Sequence, residues 1–285
     1  MRILVTGATG QLGSLVMETL LAAVPGEQLA VSVRDPKKAE HLRARGVDVR
    51  QGDFDHPETL DRAFAGAERM LLISTTDDTQ TRIRQHANAV AAAKRAGIRF
   101  IAYTSLARAD RSTLSLAEVH RATEAAIRET GIPYSFLRNN WYLENELNTI
   151  QSVVNGAPWV TNTGSGRVGW APRRDYAQAA AAVLLGSGHE NTVYELSGRP
   201  RTHDELAAEL ASVLGREIPV QHVDDAAYAA ILRQAGLPDP AVDMIVSMQQ
   251  AIRAGALDVE SDDLAKLLGR QPTPLRDALR ALVSR

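Results

Sequence analysis

Two kinds of apolar pattern alternate along the first half of the chain. Short runs dense in Val, Ile, Leu and Phe trade places with longer stretches in which apolar residues recur every three or four positions. The first kind suits strands buried on both faces, and the second suits amphipathic helices. On this reading, strands cover residues 2–6, 28–34, 47–52, 69–74, 99–105 and 133–138. Helices fall between them at 15–22, 36–45, 57–64, 79–96 and 116–130, and Gly97 and Gly131 stop the last two. Strand–helix alternation of this kind predicts a parallel sheet covered by helices on both faces, with ligand at the C-terminal ends of the strands.

The second half is less regular. Residues 155–169 are rich in Gly, Asn, Thr and Ser and read as a loop or hairpin. A helix at 175–185, capped by Asp175-Tyr176, precedes a last strand at 192–196. Thr202 with Glu205 three residues on is a capping box. From there to Arg285 the chain reads as helical, with breaks at 236–238 and 271–272.

Between the first strand and first helix stand Gly7, Gly10 and Gly13, three residues apart in VTGATGQLG. Strand, glycine turn, helix is the context in which backbone can approach a pyrophosphate and exposed helix N–H groups can receive it. Thr9, Gln11 and Leu12 belong to the same turn. At the end of the second strand, an acidic residue selects NAD and an arginine accommodates the 2′-phosphate of NADP. This chain has Arg34, with Lys38 close behind and Asp35 one residue past the usual acidic position. NADPH is therefore the favoured cofactor, with NADH the alternative. Asp53 and Phe54 follow the third strand, where Asp53 either accepts from the adenine amino group or caps a turn. Ser74 and Thr75 end the fourth strand along the ribose and phosphate path, and Thr104 and Ser105 end the fifth.

The fold expected is α/β: a Rossmann-type doubly wound parallel sheet with a smaller, mainly helical C-terminal lobe. Residues 1–141, with a returning segment at about 170–198, make the dinucleotide-binding domain. Residues 142–169 and 199–285 make the substrate-binding lobe.

Composition narrows the partners. The 285 residues contain no cysteine, which excludes disulfides, thiolate metal sites and a cysteine nucleophile. Thirty-two basic and 34 acidic residues give a net charge of −2 without a long basic block, so neither nucleic acid nor an anionic membrane is the expected partner. The longest apolar runs, such as AAAAVLLG at 179–186, are too short to span a bilayer. A first strand starting at residue 2 leaves no room for a signal peptide, so the cytoplasm is the expected location. What remains is a small-molecule substrate, and a monomer or homodimer.

Nearly the full length resembles the NmrA-like branch of the atypical short-chain dehydrogenases/reductases. The segments carrying the resemblance include VTGATGQLG (5–13), VRDPKKA (33–39), QGDFDHPETL (51–60), FIAYTSL (100–106), HRATEAAIRETGIPYSFLRNNWYLEN (120–145) and RRDYAQAAAAVL (173–184). Within that branch it is similar to the bacterial NAD(P)H:quinone oxidoreductases. VTNTGSG (160–166) is more like the triphenylmethane-dye reductases. The resemblance implies direct hydride transfer from a nicotinamide to a quinone or other aromatic acceptor.

One departure from the wider superfamily matters. Short-chain dehydrogenases usually carry Tyr-x-x-x-Lys about a dozen residues after the fifth-strand Ser. Here residues 116–123 read LAEVHRAT, with neither Tyr nor Lys. A carbonyl reaction needs a proton donor to the developing alkoxide. A quinone needs less help, because its product is a delocalised phenolate that solvent can protonate. His120 and Glu124 share a helix face, so His120 is either a catalytic donor to the acceptor oxygen or half of a structural pair with Glu124. Asn140 and Tyr142 join it as catalytic candidates, while Ser105, Trp141 and Asn145 are candidates for holding a flat ring. A protein that senses NAD(P) without turnover would have the same fold and remains the alternative of another class.

Overall fold

The structure, a computed structural model, describes residues 1–284. Strand β1 (Ile3–Thr6) runs through the glycine turn into α1 (Gln11–Ala23). Next come β2 (Leu29–Val33), a 3-10 turn (Pro36–Ala39), α2 (Glu40–Arg43), β3 (Asp48–Gln51), a second 3-10 turn (Pro57–Thr59) and α3 (Leu60–Phe64). Then follow β4 (Arg69–Leu72), α4 (Thr79–Arg95), β5 (Phe100–Leu106), α5 (Ala117–Thr130) and β6 (Tyr134–Asn139). Beyond them lie β7 (Trp141–Tyr142), α6 (Leu147–Val154), β8 (Trp159–Thr161), β9 (Trp170–Ala171), α7 (Arg173–Leu185) and β10 (Thr192–Leu196). The chain closes with α8 (His203–Leu214), β11 (Val220–His222), α9 (Asp225–Gln234), α10 (Asp239–Arg253), α11 (Asp263–Leu268) and α12 (Leu275–Val283).

Seven strands form one parallel sheet in the order β3-β2-β1-β4-β5-β6-β10. Ile3 pairs with Leu29 on one side and Arg69 on the other, so β1 and β4 sit where the direction of winding reverses. A crevice opens beyond the strand ends at such a point. β1, β2 and β5 are buried at every position, as a sheet covered on both faces requires. One face packs Val16 and Leu20 of α1 against Ala180 and Leu184 of α7. The other packs Phe64, Ala93, Ile127 and Phe136. A third cluster, around Trp159, Trp170, Leu206, Ile252 and Leu279, lies under the C-terminal helices.

Several local expectations change. The first helix starts at Gln11, so the glycine turn leads directly into it and Gly13 lies inside it. Residues 155–169 are not a hairpin: β8 lies within them and pairs in parallel with β11, which also interrupts the expected helical run after Thr202. Strands of three residues are too short to show a period. The capping box of Thr202 and Glu205 is present, whereas Arg285 lies outside the described residues. Asp175 does not cap α7, which starts after Pro172. Its fully buried carboxylate accepts from Arg270 Nη2 and the Thr273 backbone N–H at 2.7 Å each, and from Thr273 Oγ1 at 2.9 Å. That tie fastens the C-terminal segment to the sheet's helical layer. No helix among the described residues is long and apolar enough to cross a membrane.

A buried ion cluster fixes the β5–β6–β10 side. Arg138 on β6 donates to both carboxylate oxygens of Glu124 on α5, at 2.9 and 2.8 Å. It also reaches Asp110 at 2.6 Å and Glu195 on β10 at 3.0 Å. Burial works against the Arg138 charge, but Glu124 and Glu195 outweigh it and raise its pKa. Removing one partner of such a pair leaves a buried charge uncompensated, at a cost of about 3–5 kcal/mol. Arg138→Leu should therefore lower the unfolding free energy in urea by about that amount. A loss of only a few tenths of a kcal/mol, the size typical of an exposed pair, would contradict the cluster.

Candidate active site

A cleft of about 760 Å³ runs along the C-terminal ends of the sheet strands. Every residue named above as a candidate for cofactor binding, substrate binding or catalysis lines it. At one end are Gly7, Thr9, Gly10, Gln11, Leu12 and Gly13; along its length are Arg34, Lys38, Asp53, Phe54, Ser74, Thr75, Thr104 and Ser105; at the other are His120, Asn140, Trp141, Tyr142 and Asn145.

The glycine turn is dictated by space. Gly7 has φ +62°, and its carbonyl accepts the Gly10 N–H at 3.0 Å. A Cβ on Gly13 would stand 2.1 Å from that same carbonyl oxygen. Only glycine lets α1 pack this close to the turn. Gly10, the residue before α1, supplies no capping side chain, so the first N–H groups of the helix stay available for an anion.

At the next turn the ambiguity of Asp35 resolves. Its carboxylate accepts the Lys37 N–H at 3.0 Å and caps the 3-10 turn. Arg34 and Lys38 line the cleft on the same turn without an ion-pair partner among the described residues. Asp53 likewise caps a turn, accepting from the Asp55 N–H at 3.0 Å. The strand ends beyond are held by side chains. Thr104 Oγ1 accepts the Ser74 N–H at 2.9 Å, and His86 Nε2 accepts the Thr75 N–H at 3.0 Å. Thr123 donates its own proton to the Val119 carbonyl, so at 2.8 Å it accepts from His86 Nδ1–H.

At the far end the expected His120–Glu124 pair is absent. Glu124 is taken by Arg138, and by Ser105 Oγ, which donates to it at 2.7 Å. A partner on β6, far along the chain, outbids the neighbour one helical turn away. His120 instead places Nδ1 2.8 Å from the Tyr103 hydroxyl. Burial, then the nearby Arg82 and His86, depress its pKa to about 3, so it is neutral at pH 7. Burial raises the Tyr142 pKa, so its phenol keeps its proton. Its oxygen accepts from Asn139 at 2.9 Å, and its O–H has no acceptor among the described residues. Asn140 is less free than expected. Its amide nitrogen donates to Ser197 Oγ and the Leu257 carbonyl, at 3.0 Å each, which leaves only Oδ1 unpartnered.

Two cleft cations escaped the sequence reading. Arg82 on α4 is 92% buried, since only 8% of its surface is exposed, and it donates to Ser74 Oγ at 2.7 Å. It makes no ion pair with a carboxylate among the described residues. Arg173, at the start of α7, lays its guanidinium 4.9 Å over the Tyr142 ring. Neither sits in a strand-end motif, and a lone Arg in a helical pattern reads as solvated surface. Ser32 Oγ, Arg82 Nε, Gln85 Oε1, Asn139 Oδ1 and Asn140 Oδ1, all on cleft residues, are buried without a partner. Such atoms are costly unless a ligand or water meets them.

A glycine turn at a helix start, a basic turn after β2 and a crevice at the switch point define a Rossmann-type protein of the short-chain dehydrogenase/reductase kind. The chain belongs to the NmrA-like family, whose model matches residues 1–273. It is 42% identical over 281 residues to quinone oxidoreductase 2 of Escherichia coli K12, covering 98% of each chain. Its structure matches that of the Citrobacter triphenylmethane reductase complexed with NADP(H), with a TM-score of 0.95, 44% identity, and 99% and 100% of the two chains covered. The NADPH-dependent quinone oxidoreductase of E. coli, complexed with NADPH, matches with a TM-score of 0.94 and 42% identity over 99% and 100%.

The buried histidines generate a prediction about stability. His86 and His120 both have folded pKa values of about 3, against about 6.5 when exposed. Between those values the unfolded chain binds more protons than the folded one. Stability is therefore full above about pH 6.5 and is lost as pH falls toward 3. Tm measured at pH 7, 5.5 and 4.5 should fall at each step. A constant Tm across that interval would mean that these histidines are not buried and neutral.

Proposed function

We propose that the cleft holds NADPH and that the protein passes hydride directly to a quinone or a similarly flat, conjugated acceptor. The observation that carries this reading is the pairing of a dinucleotide cradle with a far end where two hydrogen-bond donors, Tyr142 and His120, are neutral. The glycine turn and α1 N–H groups would take the diphosphate, and Arg34 with Lys38 the 2′-phosphate. Ser32, Asp53 and Phe54 border the path to the adenosine, and Thr75, Thr104 and Ser105 the path to the nicotinamide. When bound, NADPH supplies the hydride.

The chain's own contribution is position, exclusion of water and hydrogen bonds. Trp141 and Tyr142 offer ring surfaces to a flat acceptor, and Asn145 a polar edge. Tyr142 O–H and His120 are neutral donors to a developing oxyanion. Neither carries a charge that it must surrender near pH 7, which suits a delocalised phenolate better than a localised alkoxide. The similarity to triphenylmethane reductase keeps dye reduction as a second activity of the same site, with azo dyes next. A sensor without turnover would show no steady NADPH oxidation with a simple benzoquinone, and that assay decides between the two classes.

Two variants test the assignment of roles. Arg34→Glu removes a charge-assisted hydrogen bond worth about 1.5–3 kcal/mol, so calorimetry should find NADPH bound roughly ten- to a hundredfold more weakly, with NADH little changed. Equal NADPH affinity in parent and variant would refute the role of Arg34. His120→Ala should cost less than the roughly hundredfold typical of losing a general acid. Because His120 titrates near 3, the pH profile of kcat between pH 5 and 9 should have no limb near 6.5 that the variant lacks. Near-complete loss of turnover, together with such a limb, would make His120 the acid.

A further inference from the structure

Tyr103, in the middle of β5, is completely buried, and the cleft does not reach it. Its hydroxyl has one hydrogen-bond partner among the described residues, His120 Nδ1 at 2.8 Å. Two arrangements fit that distance. In one, the phenol donates to Nδ1, and the imidazole proton sits on Nε2. In the other, Nδ1–H donates to the phenol oxygen, and the phenol's own proton has no acceptor. A buried polar hydrogen left unpaired is costly enough to decide between them. The neighbouring hydroxyls do not reverse the choice. The Thr123 and Ser74 hydroxyls lie near enough to lower the phenol's pKa, but neither stands in hydrogen-bond geometry with it, so neither takes its proton. The charged alternative, with both ring nitrogens protonated, is opposed by burial and by the Arg82 guanidinium.

The second nitrogen points the same way. Nε2 of His120 has no partner among the described residues, yet it is not among the sealed, unpartnered atoms, which do include Nε2 of His203. His120 itself lines the cleft. We infer that Tyr103 is a positioning residue: its hydroxyl holds Nδ1 of His120 as an acceptor, so that Nε2–H faces the cleft as a fixed hydrogen-bond donor to the oxygen of the electron acceptor. The last clause rests on the reductase reading above; the tautomer does not. Burial also pushes the Tyr103 phenol up, so the pair resists charging at both ends. It lends a hydrogen bond without giving up a proton, and water supplies the proton that completes the product.

The tautomer is read directly by long-range proton–nitrogen spectra of the 15N-histidine-labelled protein, with His120→Gln used to assign the signal. The expected spectrum shows Nε2 protonated and Nδ1 bare but hydrogen-bonded from pH 5 to 8. In Tyr103→Phe, the Nδ1 signal should move to that of a nitrogen without a donor. Protonated Nδ1 in the parent overturns the inference, and needs no variant to be seen. Kinetics with NADPH and a benzoquinone give the second arm. Tyr103→Phe should lower kcat roughly two- to tenfold, as for one lost hydrogen bond, with the KM for NADPH unchanged. In a His120→Ala background the same change should do nothing, since Tyr103 acts only through His120. Equal losses in both backgrounds would mark Tyr103 as merely structural. A parent that does not turn over quinones but shows the expected spectrum would sink the reductase reading and leave the tautomer standing.

Discussion

The ion pair between Arg138 and Glu124 is the constraint on which the acceptor end of the cleft depends. Glu124 is 2% exposed and Arg138 8%, so neither charge can be left without the other. The pair clamps α5 to β6, and through Glu195 it reaches β10. Glu124 also accepts a hydrogen bond from the Ser105 hydroxyl, near the end of β5. His120 lies one turn before Glu124 on the same helix. Fixing Glu124 therefore fixes where the imidazole stands, and denies it the carboxylate that would have charged it. Burial first, then Arg82 and His86, keep His120 neutral, and no carboxylate contact offsets them.

Around that neutral end the cleft is cationic. Arg34, Lys38, Arg82 and Arg173 all line it, and none is in an ion pair among the described residues. Two of the acidic side chains beside them, Asp35 and Asp53, accept from backbone N–H groups of their own turns. A third, Asp77, accepts from Gln85 at 2.8 Å. A chain with a net charge of −2 thus gathers unpaired positive charge in one groove. That arrangement attracts a polyanion such as a dinucleotide phosphate, and the low-dielectric walls of a cleft strengthen it. Arg82 differs from the other cations because it is buried. It holds Ser74, depresses His86 and His120, and so extends the field of the cofactor groove to the acceptor end.

What the sequence made legible follows from range. The glycine turn, the strands and the strand-end hydroxyls are local patterns, and they placed the cleft because parallel strands deliver their C-terminal ends to one edge. Contacts between distant segments were not legible. Helical spacing suggests Glu124 for His120, but Arg138 arrives from β6, and Tyr103 reaches Nδ1 from β5. Asp175 reads as a cap because it opens a helix, yet its partners Arg270 and Thr273 lie more than ninety residues on. β8 and β11, three residues each, find each other only because the third hydrophobic cluster brings residues 159 and 220 together.

Asn140 shows how the two halves of the fold meet at the site. Its backbone N–H donates to the Leu196 carbonyl at the end of β10, and its side chain to Ser197 and to Leu257 beyond α10. Trp141 and Tyr142 follow at once, in the two-residue β7 that pairs with β9. The Trp141 and Tyr142 rings, which the proposed function sets against the acceptor, are therefore hung between the sheet and the C-terminal helices. The Asn140 amide, anchored on Ser197 and on the Leu257 carbonyl, ties their position to the C-terminal segment. Variation in those C-terminal helices can reshape the acceptor end without touching the glycine turn. That is a physical route by which one dinucleotide cradle can serve reductases of quinones and of dyes.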